Sequence, residues 1–273
     1  MSLPVALQLY SVRTELKQDF YGVLEQVKAM GYDGVEFAGL MGENPEKVKK
    51  ALGSLGLTAL SAHVPLADFL ADTTGVLKEL KQLGVQYAVV PYLPPQRRPN
   101  GGDFEETIRQ IRQVGEAVAS SGLMLLYHNH DFEFVKIDGQ YALDMLYDAI
   151  PASLLQTELD TCWVRVGGED PVAYLKKYTG RAPVVHIKDY VGEKSENMYE
   201  LIGIQSKANP RDNVKHFAFR SVGAGIQDVP SILKACVDAN AGWIIVEQDN
   251  PTEGMDALSC AKASIDYLKQ ITY

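Results

Sequence analysis

The sequence predicts an α/β protein, a single (β/α)₈ TIM barrel spanning residues 1–273. Three observations predict it: a helix-then-strand unit recurring roughly every thirty residues, eight short apolar runs, and glycines set between helix and run. The chain exceeds the usual domain length, but barrels of this kind run to about 250 residues as one domain.

The first run, Val5–Ser11, leads into Leu9-Tyr10-Ser11-Val12-Arg13 with no glycine. An open doubly wound sheet, the rival architecture, usually carries a Gly-rich phosphate turn at this place. Asp19 is set as N-cap of a helical period, Asp19–Met30, which Gly31 closes before the second run, Gly34–Ala38. Gly56 precedes Thr58–Val64, and Gly84 precedes Tyr87–Leu93. A long period follows at Asp103–Ser121, where Asp103 and Glu106 have the spacing of a capping box, and Gly122 precedes Leu123–His130. The last three runs are Leu154–Thr161, Pro183–Tyr190 after Gly180, and Trp243–Asn250 after Gly242. Near-continuous apolar strands alternating with helices call for a parallel sheet covered by helices, and eight such units close on themselves. One stretch breaks the rhythm. Residues 191–222, with Lys194, Glu196, Lys207, Arg211 and Arg220, form a connection too long for an ordinary loop. Because it follows a strand, it is expected to act as a lid on the face where barrel enzymes keep their sites.

Composition narrows the partners. Lys plus Arg number 26 against 35 Asp plus Glu, a net charge of -9. Such a surface repels phosphodiester backbones and anionic lipid, which argues against nucleic acid and membrane. No run of about 18 apolar residues is present, so no spanning helix is expected. Cys162, Cys236 and Cys260 form no CxxC pair, which argues against a disulfide framework or thiolate zinc site. A cytoplasmic protein fits these features, which say nothing against a small neutral sugar or polyol as partner, and a homo-oligomer is compatible with them.

Polar residues gather at the ends of the runs, which apolar patterning does not explain. The fifth ends Tyr127-His128-Asn129-His130-Asp131, the sixth Glu158-Leu159-Asp160-Thr161, the seventh His186-Ile187-Lys188-Asp189, and the eighth Glu247-Gln248-Asp249. Earlier runs supply Gln8, Glu36 and His63. Side chains alternate across a strand, so His128 shares a face with His130, Glu158 with Asp160, and His186 with Lys188. Four neighbouring strands then deliver imidazole, carboxylate, imidazole and carboxylate to one point. That donor set suits one divalent Mn, Fe, Co or Zn ion better than Mg or Ca. Taken singly, each residue also has a structural role open to it. Asp189 and Asp249 have the position of helix N-caps, Glu158 and Lys188 that of a cross-strand ion pair, while Tyr10 and Tyr92 are placed to line a mouth.

At these strand ends the chain resembles the xylose isomerase-like barrel family of sugar phosphate isomerases and epimerases, over essentially its whole length. The carriers include Gln8-Leu9-Tyr10-Ser11-Val12-Arg13, Gly34-Val35-Glu36-Phe37, Ser61-Ala62-His63, and His128-Asn129-His130-Asp131-Phe132-Glu133-Phe134. They continue with Glu158-Leu159-Asp160-Thr161-Cys162-Trp163, His186-Ile187-Lys188-Asp189, Gly223-Ala224-Gly225-Ile226 and Glu247-Gln248-Asp249. In ketose epimerases of that family the metal is held by Glu, Asp, His and Glu from the last four strands. The resemblance implies that Asp160, His186 and Glu247 are three of these. His128 stands where the first Glu belongs, which departs from the two-carboxylate epimerase pattern and is closer to dehydratases and lyases of the family.

The resulting expectation is a metal-dependent sugar isomerase or epimerase working through an enediolate intermediate. His128, Asp160, His186 and Glu247 hold the metal; Glu158, Glu247 and Lys188 are catalytic, with Glu158 as the base. Gln8, Glu36, His63, His130 and Arg220 contact substrate, and Arg13 and Arg220 are the available phosphate anchors. A lyase or dehydratase of a keto-sugar or inosose shares the same intermediate and is the alternative. A non-catalytic carbohydrate-binding barrel comes third, and an endonuclease fourth, short of His ligands and wrong in charge.

Overall fold

A computed structural model of the chain describes residues 3–195, 198–203 and 217–271. Eight parallel strands close into one barrel. They are β1 (Val5–Gln8), β2 (Gly34–Phe37), β3 (Thr58–His63), β4 (Tyr87–Val90), β5 (Met124–His128), β6 (Gln156–Asp160), β7 (Val184–Ile187) and β8 (Trp243–Val246). Each strand pairs with its sequence neighbours, and β8 closes on β1 through Ala6↔Ile245. The open-sheet rival is thereby excluded. Every strand is shorter than its apolar run, because the ends of the runs leave the ladder and turn toward the helices.

The helices form as their punctuation predicts, with one exception. Asp19 caps Phe20–Met30 by accepting from the Gly22 N–H at 2.9 Å, and Gly31 ends that helix at φ 96°, a left-handed conformation that favours glycine. Asp103, by contrast, makes no side-chain cap on Phe104–Ser120; its carbonyl instead accepts from Thr107. That helix is held by its apolar face, where Ile111, Val114 and Val118 are buried.

Inside the barrel Ala6, Leu60, Val89, Leu126, Val184 and Ile245 form a compact plug. This plug fixes what lies above it. Alternation along a strand returns the next inward side chain two residues later. Ala6 is thus followed by Gln8, Leu126 by His128 and His130, Val184 by His186 and Lys188, and Ile245 by Glu247 and Asp249. The polar layer is the continuation of the hydrophobic one toward the carboxyl end.

The connection after β7 begins as a short strand, Asp189–Val191, paired antiparallel with Ala218–Arg220. Met198–Ile202 form a 3₁₀ turn, and Met198 and Ile202 pack with Trp163, Tyr190, Phe217 and Phe219 over the barrel. Glu196, Lys207 and Arg211, expected in the lid, lie outside the described residues. Among the described residues no helix is long and apolar enough to cross a membrane.

Candidate functional site

Two carboxylate–imidazole groups sit side by side on the plug and share His186. In the first, the ligand atoms of His128, Asp160, His186 and Glu247 lie within 4.8 Å of one another, and all four residues are buried. His128 Nε2 is 3.3 Å from Asp160 Oδ2 and 3.7 Å from Glu247 Oε2, and His186 Nδ1 is 2.8 Å from Glu247 Oε2. These are the residues that the sequence nominates as metal ligands, and the fold brings them together. His128 Nδ1 has no hydrogen-bond partner, and Asp160 Oδ2 has only the 3.3 Å ion contacts of His128 Nε2 and Lys188 Nζ. Buried polar atoms are rarely left unpaired without a reason, and a nitrogen–oxygen donor set of this kind fits a divalent transition ion. The other oxygen of Asp160 accepts from the Trp163 N–H at 2.9 Å, so the helix Thr161–Val166 pins this carboxylate.

The second group comprises Glu36, His63, Glu158 and His186. Glu36 is an acceptor for four donors: Gln8 Nε2 at 2.6 Å, Ser61 Oγ at 2.6 Å, His63 Nε2 at 2.9 Å and His186 Nε2 at 2.8 Å. Burial works to raise its pKa, but His63 and His186 outweigh this and hold it well below the usual carboxylate range. Glu158 Oε2 lies 2.8 Å from His63 Nε2 and 3.3 Å from His186 Nε2. Burial lowers the His63 pKa, yet Glu36 and Glu158 overcome it and push it up to about 10. His186 therefore shows one nitrogen to the first group and is oriented through the other by Glu36, the usual support of a metal-ligating histidine.

Lys188 joins the first group as an ammonium. Its Nζ is 2.8 Å from Glu247 Oε2, 2.9 Å from Asp249 Oδ2 and 3.3 Å from Asp160 Oδ2, and the side chain is only 2% exposed. Burial favours the neutral amine, but the three carboxylates hold its pKa well above the ordinary value. Asp249 pays for this crowding: burial and then the neighbouring Glu247 push it up to about 7 even beside Lys188. His130 is the opposite case. Burial, with His128 and Lys188 nearby, holds its pKa well below 6.5, so it is a neutral imidazole. It is sandwiched between Phe132 (5.3 Å, 7°) and Trp163 (5.2 Å, 29°), and its Nδ1 has no partner. The buried Glu133, pushed up to about 8 by burial, accepts from the His130 N–H at 2.8 Å and fixes this turn.

A cavity of about 730 Å³ opens above these groups, walled by His63, His128, His130, Lys188, Glu247 and Asp249 together with Tyr10, Tyr92 and Ile202. Several placements correct the sequence reading. Gln8 and Glu36, assigned to substrate, are wholly buried beneath His63 and His186 and take no part in the wall. Glu158, assigned as base, is also wholly buried and faces His63 rather than the cavity. It does not pair with Lys188, which the three carboxylates above engage. Arg220 is outside the wall, with Nη1 donating to the Phe219 carbonyl, and Arg13 is spent on the carbonyls of Tyr10 and Asp249. Asp189 is no helix cap: its oxygens accept from the N–H groups of Gly223, Gly225 and Gln227. A side chain at Gly225 would collide with it, since a Cβ there would lie 2.1 Å from Asp189 Oδ1. Asp249 is an ion-pair partner, not a cap. Ser61 and Asn129 were not singled out by sequence. Asn129 accepts from the Asp160 N–H at 2.9 Å and so ties β5 to β6 beside the ligands.

Comparison with known proteins gives a consistent picture. The model of the xylose isomerase-like TIM-barrel family matches residues 24–271. An inosose dehydratase of Geobacillus kaustophilus is 23% identical, over 92% of this chain and 87% of that protein. A solved sugar phosphate isomerase/epimerase from Parabacteroides distasonis superposes with a TM-score of 0.78 at 21% identity, covering 99% of each chain. The probable 3-DHS dehydratase AsbF of Bacillus anthracis superposes at 0.77 with 14% identity, covering 99% of this chain and 100% of that one.

Proposed function

This chain belongs to the xylose isomerase-like TIM-barrel family, and we propose that it is a divalent-metal-dependent enzyme that enolises a sugar or related polyol ketone, as an isomerase or epimerase. The observation that carries the reading is the convergence of His128, Asp160, His186 and Glu247 at the floor of the cavity, where His128 and Glu247 reach the wall and His128 Nδ1 is buried without a partner. These four residues would hold the ion. A bound divalent ion supplies Lewis-acid polarisation of the substrate carbonyl, which acidifies the neighbouring C–H.

The protein's own groups do the rest. His130 is neutral and lines the cavity, so it takes the proton from carbon in place of Glu158. Lys188, held protonated by its carboxylates, donates to the oxygen on which negative charge develops. Glu36 fixes the ring of His186, and Glu158 with Glu36 fixes His63. Return of the proton to the adjacent carbon completes isomerisation, and delivery to the opposite face completes epimerisation. The described part of the connection after β7, including Met198–Ile202, serves as a cover; in support, Ile202 lines the cavity and its carbonyl accepts from the Tyr10 hydroxyl at 3.1 Å.

A second reading, water elimination, has specific support. His128 replaces a second carboxylate that two-face proton exchange would use, and the wall presents one neutral imidazole and one ammonium. The inosose dehydratase likeness points the same way. Here His130 takes the proton, the C–H electrons form the double bond, the C–O bond breaks, and Lys188 protonates the departing oxygen to water.

The test is metal analysis of protein purified without chelator, followed by NMR of keto-sugars and inososes in D₂O. Deuterium entering at carbon without elimination is the expected result. An unsaturated product selects the dehydratase reading. A metal-free protein that neither exchanges nor eliminates any of them refutes both.

A further inference from the structure

We infer that the substrate extends past one sugar ring and carries no phosphate, because the cavity continues into an outer chamber whose wall is acidic and apolar. The inference rests on the sugar reading above and narrows its substrate class.

The chamber is built by a break in a helix. Leu66–Leu83 departs from helical geometry at Asp72 (φ -151°, ψ 74°), whose side chain accepts from the Gly75 N–H at 2.9 Å and starts the helix afresh. The two halves bring Pro65, Asp68, Asp72, Val76, Glu79 and Leu80 into the same cavity wall as His63 and His130. The inner end is built for a ligand: His128 and His130 are 2% and 5% exposed and carry unpartnered nitrogens.

Volume argues for more than one ring. A hexose has six carbons and six oxygens; granting each atom the roughly 30 Å³ of a liquid water, one ring takes about 360 Å³. That is half of the 730 Å³ present. Charge argues against phosphate. Five carboxylates line the cavity (Asp68, Asp72, Glu79, Glu247 and Asp249) against two cations among the described residues, Lys188, already engaged by three carboxylates, and His63, already engaged by Glu36 and Glu158. The nearby arginines are committed elsewhere: Arg13 to two carbonyls, and Arg98 to the Leu93 carbonyl and the rings of Phe132 and Tyr92. Carboxylates accept from sugar hydroxyls, and Val76 and Leu80 pack against the apolar face of a ring, so an uncharged second sugar or glycosidic substituent suits the chamber.

Titration calorimetry of the purified protein with fructose, the keto-disaccharide lactulose and fructose 6-phosphate tests this. Lactulose should bind about tenfold more tightly than fructose, and fructose 6-phosphate about tenfold more weakly. Val76→Trp, which fills the outer chamber, should erase the lactulose advantage. Glu79→Lys should narrow the phosphate penalty severalfold, with melting curves reporting that each variant is folded. Equal binding of fructose and lactulose, a lactulose advantage that survives Val76→Trp, or tighter binding of the phosphate overturns the outer chamber and leaves the sugar reading standing. Failure of all three probes to bind overturns both.

Discussion

Lys188→Met is the most informative single change, because the structure assigns its two main effects opposite signs. In metal-free protein the ammonium is the buried partner of Glu247, Asp249 and Asp160 at 2.8, 2.9 and 3.3 Å. Removing one member of a buried ion pair typically costs about 3–5 kcal/mol, since the remaining charge stays buried without compensation. At about 2 °C per kcal/mol for a chain of this size, the melting temperature should fall by roughly 6–10 °C. A divalent ion, however, competes with the ammonium for Asp160 and Glu247. Two unit charges about 4 Å apart repel by about 4 kcal/mol at an effective dielectric near 20, and a quarter of that is about fivefold in affinity. The variant should therefore bind Mn²⁺ or Zn²⁺ at least about fivefold more tightly, and saturating metal should recover most of the lost stability. Turnover should drop about 10²-fold or more, the usual weight of a general acid. Calorimetric melting with and without metal, together with metal titration, gives each number separately. A melting temperature within about 2 °C of wild type, or weakened metal binding, would refute the assignment of Lys188 as the competing cation.

Two further outcomes follow from the same geometry. His130→Asn should lower turnover by about 10²-fold with metal content unchanged, whereas Glu158→Gln should act mainly through His63 and lower the melting temperature; the reverse ranking in steady-state kinetics would return the base role to Glu158. In chelator-treated protein, His63 contributes a pH-dependent stability. Its folded pKa of about 10 lies above the ordinary 6.5, so the stabilisation is complete below about pH 6.5 and is lost as pH rises toward 10. Urea denaturation should show stability falling across that window by up to about 5 kcal/mol, and His63→Gln should flatten the slope; stability that rises with pH there would show that His63 is not held protonated.

The barrel and its first ligand group were legible for one reason: strand alternation carries information directly from sequence into space. Once Leu126, Val184 and Ile245 are placed inward, His128, His186 and Glu247 must follow. What alternation does not carry is depth. Gln8, Glu36 and Glu158 have the same orientation as the wall residues but end lower, so they became supports under His63 and His186 instead of contacts for substrate. Nor does it carry the choice between caps and ion pairs. Asp103 has the spacing of a cap and makes none, while Asp160, read only as a ligand, both caps a helix and offers its second oxygen to the site. Asp249 shows what decides such cases. Four ligands with two carboxylates neutralise a divalent ion, but Lys188 adds a further positive charge at the same buried point. Asp160 and Glu247 supply two negative charges and Asp249, pushed up to about 7, can supply a third, which would balance an ion and an ammonium side by side. The third carboxylate is thus required by the lysine two residues beyond His186, and its position two residues beyond Glu247 puts it on the inward face where that charge is needed.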